Sequence, residues 1–282
     1  MFRFSDTLSA LADSRDLWRI IVPLLKVVTV NQTRVVLISG AGSDTGIGFA
    51  AAKEFKSNNY EVAITGASSR ILERASEIGV KGFVADLTVE TEVQQLVAEV
   101  VKEFGQLDVL VNNAGMTSIE NPMQDSGEAK SAFDLDLESW HQSLSRNLDT
   151  AFLLTKNCLP LIRKSKAGRI INISSVTGPV MAMKNDAGYA AAKAGLVGLT
   201  RSLALDEAVR GITVNSVSPG WIATGSQTAD EQIQGKTVPL GRSGTPNEVA
   251  SAILWLADPQ NGYITGQNLV IDGGNSIAEE RA

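Results

Sequence analysis

Cysteine and histidine are almost missing from this sequence: its 282 residues hold one of each, Cys158 and His141. A single cysteine excludes an intrachain disulfide framework and fits a reducing, cytoplasmic compartment. One histidine and one cysteine cannot build a zinc site unless carboxylates supply the other ligands. Serine–histidine–aspartate chemistry would have to run through His141, in "ESWHQSL", which reads as the exposed face of a helix. Positive charge is also scarce. Against 31 Asp and Glu stand 25 Lys and Arg, a net charge of −6, which argues against a nucleic-acid partner. Long apolar runs are missing as well. The nearest, "LWRIIVPLLKVVTV" (17–30), is interrupted by Arg19, Pro23 and Lys26 and is too short to span a bilayer. It also lacks the basic start and small-residue cleavage site of a secretory signal.

What is present describes a globular chain: 44% hydrophobic and 20% charged residues, with enough length for a sizeable core. Leu8, Leu11, Leu17, Ile20, Ile21, Leu24 and Leu25 recur at near-helical spacing. Residues 1–32 therefore read as an extension that packs on its own domain or on a neighbouring subunit, ahead of one domain over 33–282. In that domain short apolar runs alternate with longer amphipathic ones. The runs at 34–39, 61–65, 82–85, 107–112, 169–174, 212–218 and 268–272 are predicted strands; 92–104 and 190–209 are predicted helices. Strands that are apolar without alternation, separated by helices, imply a doubly wound α/β fold, a seven-stranded parallel sheet with helices on both faces.

Such sheets bind ligands beyond the carboxyl ends of their strands, so the residues just after each strand carry the chemistry. "SGAGSDTGIG" (39–48) follows the first strand and opens a helix near Ile47, a glycine-rich turn suited to cradle a phosphate. Its spacing can be read from Gly40 or from Gly42. "NNAG" (112–115) follows the fourth strand, where small residues leave room for a flat ring. "SSVTG" (174–178) follows the fifth, and "SPGWIAT" (218–224) the sixth. Tyr189 and Lys193, in "YAAAK", are four apart on a predicted helix and so share a face. An ammonium near a phenol favours the phenolate, which predicts a Tyr189 pKa below its usual value of about 10 and a proton donor and acceptor usable near neutral pH.

With these motifs in place, the chain from about residue 33 to 275 resembles the short-chain dehydrogenase/reductase family, whose fold is a Rossmann fold. The late stretch "VPLGRSGTPNEVASAILWLADPQNGYITGQNLVIDGG" (238–274) is similar to the branch of 3-oxoacyl-acyl-carrier-protein reductases and related ketone reductases. The resemblance implies a catalytic tetrad of Asn147, Ser175, Tyr189 and Lys193. It implies that Tyr189 protonates the carbonyl oxygen as hydride arrives and that Ser175 hydrogen-bonds the same oxygen. Lys193 would hold the nicotinamide ribose, and Asn147 a water in a proton relay. The family pattern places a hydroxyl residue before the first glycine of the loop, which Ser39-Gly40 supplies. Gly40, Gly46 and Gly48 then become the functional glycines, with Ile47 between the last two and Asp44-Thr45 as a two-residue insertion. Asp86 and Leu87 match adenine-side contacts, Asn113, Ala114 and Gly115 the wall along the cofactor, and Pro219, Gly220, Ile222 and Thr224 the segment that fixes the carboxamide and phosphates.

Enoyl-reducing relatives have a similarly stretched loop but usually separate tyrosine and lysine by six residues, so the intact YxxxK favours ketone chemistry. The slot where NAD enzymes carry a carboxylate holds Gly66, followed by Ala67, Ser68, Ser69 and Arg70. Ser68 and Arg70 could receive a 2′-phosphate, so NADP is the expected cofactor, with NAD also used. The expected function is hydride transfer between NAD(P)(H) and a small-molecule ketone or secondary alcohol, by a homotetramer without metal, nucleic-acid partner or membrane span. The alternatives are a 3-oxoacyl-acyl-carrier-protein reductase of fatty-acid synthesis and a non-catalytic cofactor-binding protein. Between Gly115 and Asn147 the chain is longer than in the close branch, as a surface loop or as part of the substrate mouth, and the stretch 225–238 is shorter, which suggests an open or small pocket.

Overall fold

All seven apolar runs form strands. The computed structural model of the chain describes residues 33–115 and 129–279; the expected extension over 1–32 lies outside them, as does 116–128 of the lengthened loop. The strands are β1 (Val35–Ser39), β2 (Glu61–Gly66), β3 (Lys81–Val84), β4 (Val109–Asn112), β5 (Arg169–Ile173), β6 (Thr213–Pro219) and β7 (Asn268–Ile271). They pair in parallel throughout, in the order β3-β2-β1-β4-β5-β6-β7. The helices are α1 (Ile47–Ser57), α2 (Arg70–Ile78), α3 (Glu90–Phe104), α4 (Leu137–Leu144), α5 (Thr150–Ile162), α6 (Ala187–Glu207), α7 (Ala229–Lys236) and α8 (Pro246–Ala257). Between α4 and α5 the chain makes a π-helical turn, Ser145–Asp149.

The lack of alternation along the strands has a direct cause. Successive side chains of a strand point to opposite faces. In β1, Val36 and Ile38 enter a core with Ala51 and Phe55 of α1 and Val249 and Ile253 of α8. Val35 and Leu37 enter a second core with Val93 and Leu96 of α3 and Leu154 and Cys158 of α5. Both faces are dry, so both sets must be apolar. Truncating one of these fully buried side chains, such as Leu110→Ala, costs about 2–5 kcal/mol.

The chain runs outward from β1 through β2 to β3, then returns across the sheet to β4 on the other side of β1. The loops after β1 and β4 therefore diverge, and a crevice opens at their carboxyl ends. Directly beneath it, Asn112 Nδ2 donates to Thr155 Oγ1 and to Asn172 Oδ1, each at 2.8 Å, and Asn172 Nδ2 donates to Thr200 Oγ1 at 2.8 Å. This buried polar chain ties β4 and β5 to α5 and α6. Among the described residues, no helix is long and apolar enough to cross a membrane, and no cluster of His, Cys, Asp and Glu could hold a metal ion.

Candidate active site

The crevice begins with a close approach of two loops. Ser39 ends β1, and its Oγ accepts hydrogen bonds from the backbone N–H groups of Asn113 and Ala114, each at 3.0 Å. Asn113 Nδ2 in turn donates to the carbonyls of Ser39 (3.0 Å) and Gly40 (2.9 Å). Gly40 has φ +69°, and a Cβ there would lie 2.8 Å from the Ala114 backbone. A Cβ on Gly48 would stand 2.5 Å from Asn113 Nδ2 and 2.7 Å from the Gly40 carbonyl. On Gly46, the residue that caps α1, it would press on Ser43 at 3.2 Å, whereas on Gly42 it would meet nothing within 4 Å. The geometry therefore requires glycine at 40 and 48 and not at 42. Any side chain at the first two would fill the cradle, and Ile47 starts α1, so the free N–H groups of the helix end there. A glycine-lined helix N-terminus of this kind suits a diphosphate.

The two inserted residues reach opposite rims. Asp44 pairs with Arg74 of α2 at 3.8 Å, and Thr45 Oγ1 accepts from the Gly225 backbone N–H at 2.9 Å, beyond β6. On the α2 side, Gly66 ends β2, Ser68 is exposed and Arg70 is the first residue of α2. Asp86 is exposed, with Oδ1 accepting from Thr88 N–H (2.9 Å) and Oγ1 (2.7 Å), and Leu87 beside it is buried. On the other side, Pro219 ends β6, and the Gly220 N–H donates to Ile271 at 2.9 Å. Ile222 is buried and bridges to Gly244, while Thr224 Oγ1 lies 3.0 Å from Ser226 Oγ.

Asn147, Ser175, Tyr189 and Lys193 come together beside Gly115. Asn147 sits in the π-helical turn, and its Nδ2 donates to the Ser143 carbonyl at 3.1 Å. Its Oδ1 lies 2.9 Å, and Lys193 Nζ 3.1 Å, from the point where a Gly115 Cβ would be, so the missing side chain lets the two converge. Lys193 Nζ donates to the Ile173 carbonyl at 3.0 Å and lies 5.5 Å from the Tyr189 ring centroid. Ser174 Oγ donates to the Lys193 carbonyl at 2.9 Å, which pins α6 to the end of β5. Ser175 Oγ accepts from the Thr177 N–H at 3.1 Å and stands close enough to the Tyr189 phenol to act on it.

The electrostatics correct one expectation. Burial pushes the Tyr189 phenol up to about 12, opposed by the Ser175 hydroxyl and reinforced by the negative charges of Asp186 and Glu231. The anticipated downward pull of Lys193 does not prevail. Its ammonium is itself buried, lies over the ring and is engaged by the Ile173 carbonyl, and burial brings it down to about 8. His141 is exposed on α4, in an open depression with Leu137, Glu138, Gln142 and Ser145, apart from the tetrad.

Sequence reasoning passed over Asp186, three residues before Tyr189. It occupies the N-cap position of α6 and is 6% exposed, yet its side chain caps nothing and Oδ1 has no hydrogen-bond partner. An acidic residue just ahead of YxxxK was the only visible signal, and it reads as an ordinary helix cap.

Residues 40–276 match the family model described as Enoyl-(Acyl carrier protein) reductase. The chain is 38% identical over 250 residues to 3-oxoacyl-[acyl-carrier-protein] reductase FabG of Vibrio cholerae, a match covering 86% of this chain and 97% of that protein. Over 254 residues it is 38% identical to 3-oxoacyl-[acyl-carrier-protein] reductase of Synechocystis sp., covering 88% and 98%. Among solved structures, the ligand-free aldohexose dehydrogenase AldT of Thermoplasma acidophilum superposes with a TM-score of 0.77 at 29% identity, covering 89% of this chain and 96% of that one.

Proposed function

The chain belongs to the short-chain dehydrogenase/reductase family and is an oxidoreductase of its ketoreductase kind, and from that premise we propose that Asn147, Ser175, Tyr189 and Lys193 interconvert a small ketone and its secondary alcohol with NADP(H), and less readily with NAD(H). The observation that carries this reading is the convergence of Asn147 Oδ1 and Lys193 Nζ on Gly115, with Tyr189 and Ser175 alongside. A bound nicotinamide supplies or receives the hydride. Tyr189 gives its proton to the carbonyl oxygen, which Ser175 also hydrogen-bonds. A phenol raised by burial keeps that proton through the neutral range, so reduction starts from the protonated form. Lys193 faces the same space as Asn147, where the two would hold the nicotinamide ribose and a relay water. The glycine cradle from Ser39 to Gly48 would take the diphosphate, while Asp86, Leu87 and the Asn113–Gly115 segment flank the adenine side and the cofactor wall. Pro219, Gly220, Ile222 and Thr224 would border the carboxamide.

The preference for NADP rests on Ser68 and Arg70 and on the absence of a carboxylate at Gly66. Assembly as a homotetramer in the cytoplasm follows the family pattern, and the exposed Phe152 of α5 and Leu205 of α6 are apolar surface of the kind a neighbouring copy covers. A spectrophotometric assay of ketones and secondary alcohols with each nicotinamide tests the reading. Turnover with ketones, faster with NADPH, supports it; no turnover with any pair contradicts it.

A second reading, reduction of carrier-bound 3-oxoacyl groups, is favoured by the names of the relatives at 38% identity. It needs basic residues to attract an acidic carrier protein, and the resemblance implies them just before β5 and at the end of the helix carrying YxxxK, where Lys166 and Arg210 stand. Arg210 also has a local use, however: it donates to the Asp206 carbonyl at 3.2 Å and pairs with Glu207 at 3.7 Å, at the end of α6, where a cation complements the helix dipole.

A further inference from the structure

Asp186 departs from what its position leads one to expect. Aspartate at a helix N-cap ordinarily accepts a backbone N–H of the first turn, which contributes about 1 kcal/mol. Here the backbone of Asp186 starts α6, its carbonyl accepting from the Ala190 N–H at 2.9 Å, but the carboxyl makes no capping bond. Oδ1 is out of solvent and unpaired. A buried polar atom without a partner carries a desolvation cost of about 1–3 kcal/mol, and such an atom calls for an explanation.

Its surroundings indicate what the carboxyl is for. Asp186 stands close enough to Tyr189 for its charge to act on the phenol. The start of α6 is packed against α4, where Ser143 Oγ lies 3.1 Å from the position of a Gly188 Cβ. Ser143 is 1% exposed, and its Oγ also lacks a partner. Ser143 is one helical turn before Asn147, whose Nδ2 its carbonyl accepts. An unpaired carboxylate oxygen three residues before Tyr189 and an unpaired hydroxyl four residues before Asn147 thus lie on the two helical segments that carry these site residues. Together they offer one strong acceptor and one group able to donate or accept. Glu231, on α7, adds a second negative charge toward Tyr189. Two negative charges toward Tyr189 disfavour a carboxylate ligand in this corner of the site. The corner suits a ligand that brings its own hydrogen-bond donor.

We propose that Asp186 is a specificity-determining residue whose carboxyl accepts a hydrogen bond from a hydroxyl carried next to the reacting carbonyl, so that the substrates are small hydroxy ketones and the corresponding diols. The inference rests on the ketoreductase reading above and names its substrate class. A site built to accept from a substrate hydroxyl discriminates strongly against the analogue without it, because its own acceptor is then left unpaired.

The test compares acetoin with butanone, which differ by that hydroxyl, in the native enzyme and in Asp186→Asn and Asp186→Ala. The native enzyme is expected to favour acetoin by more than about tenfold in kcat/KM. Asp186→Ala should collapse that ratio toward one through a loss on acetoin. Asp186→Asn, which keeps an acceptor oxygen in the same shape, should retain part of it. Cofactor binding, followed by nicotinamide fluorescence, identifies a folded variant, and if Asp186→Ala fails to fold the asparagine variant decides. Equal kcat/KM for the two ketones in the native enzyme would overturn the inference and leave the ketoreductase reading standing. So would proportional losses on both ketones in the variants, as expected if the carboxyl only holds a structural water or tunes Tyr189. Failure of the native enzyme to reduce any ketone with either nicotinamide would overturn both.

Discussion

Asn113 holds Ser39 from two directions: its backbone N–H donates to the Ser39 hydroxyl and its side-chain amide to the Ser39 carbonyl, both at 3.0 Å. The ends of β1 and β4 are thereby locked at the point where the sheet order switches. The lock leaves no room for a side chain at Gly48, whose Cβ would sit 2.5 Å from the same amide nitrogen. Gly48→Ala should therefore strain the cradle by about 1–3 kcal/mol, seen as a roughly five- to hundredfold weaker cofactor Kd. Gly42→Ala, which meets no atom within 4 Å, should bind cofactor as the native chain does. Fluorescence titration of both variants checks the pair, and equal effects would reject the register that begins at Gly40.

The proposed preference for NADP is tested at the rim formed by the glycine loop and α2. Arg70→Ala should weaken NADPH binding about tenfold, the loss of one charge-assisted contact, and affect NADH less. Asp44→Asn removes the carboxylate that pairs with Arg74 and should shift the ratio of affinities further toward NADPH. Binding constants for both nucleotides decide. A native preference for NADH of roughly a hundredfold would show that this rim reads the ribose hydroxyls instead.

Lys193 titrates at about 8 in the fold against its ordinary 10.5 because burial disfavours its charge. Between those values the unfolded chain binds more protons than the native one, so this group makes stability rise with pH there. Below about pH 8 the buried ammonium carries its full cost. Lys193→Met should accordingly gain stability at neutral pH, on the order of 1–3 kcal/mol, and the gain should shrink as pH rises from 8 toward 10.5. Urea unfolding at several pH values measures it; a loss of stability at pH 7 would mean that the bond to the Ile173 carbonyl outweighs the burial.

Much of this was legible in the chain. Apolar runs such as "VVLIS" cannot be amphipathic helices at that length, and the YxxxK spacing alone puts Tyr189 and Lys193 on one helix face. The resemblance, through the hydroxyl residue before its first glycine, singled out Gly40, Gly46 and Gly48, and at 40 and 48 a Cβ would meet other atoms at under 3 Å. What the sequence withheld depends on tertiary burial. No spacing shows that the Tyr189 hydroxyl is buried deeply enough for desolvation to dominate its pKa. Nor does any pattern show that Asp186 declines to cap its helix, or that Thr45 reaches Gly225 across 180 residues.

If the carrier-protein reading were correct, charge at Lys166 and Arg210 would govern turnover. Lys166→Glu with Arg210→Glu should change kcat/KM for free ketones by less than about twofold, since both side chains are exposed and a charge in solvent acts on an uncharged substrate only weakly. Steady-state assays on a free ketone and on an acyl-carrier substrate separate the readings. A strong native preference for the carrier-bound substrate, abolished by the double reversal, would establish the fatty-acid role.

Tyr189 is the proposed proton donor, and a single-turnover experiment tests that role. In a single turnover with bound NADPH and a reducible ketone, the loss of nicotinamide absorbance is followed in the native enzyme and in Tyr189→Phe, with cofactor affinity titrated on the same samples. The phenylalanine variant should bind NADPH as the native enzyme does and transfer hydride about 10²- to 10⁴-fold more slowly. Hydride transfer at the native rate in Tyr189→Phe would contradict the account.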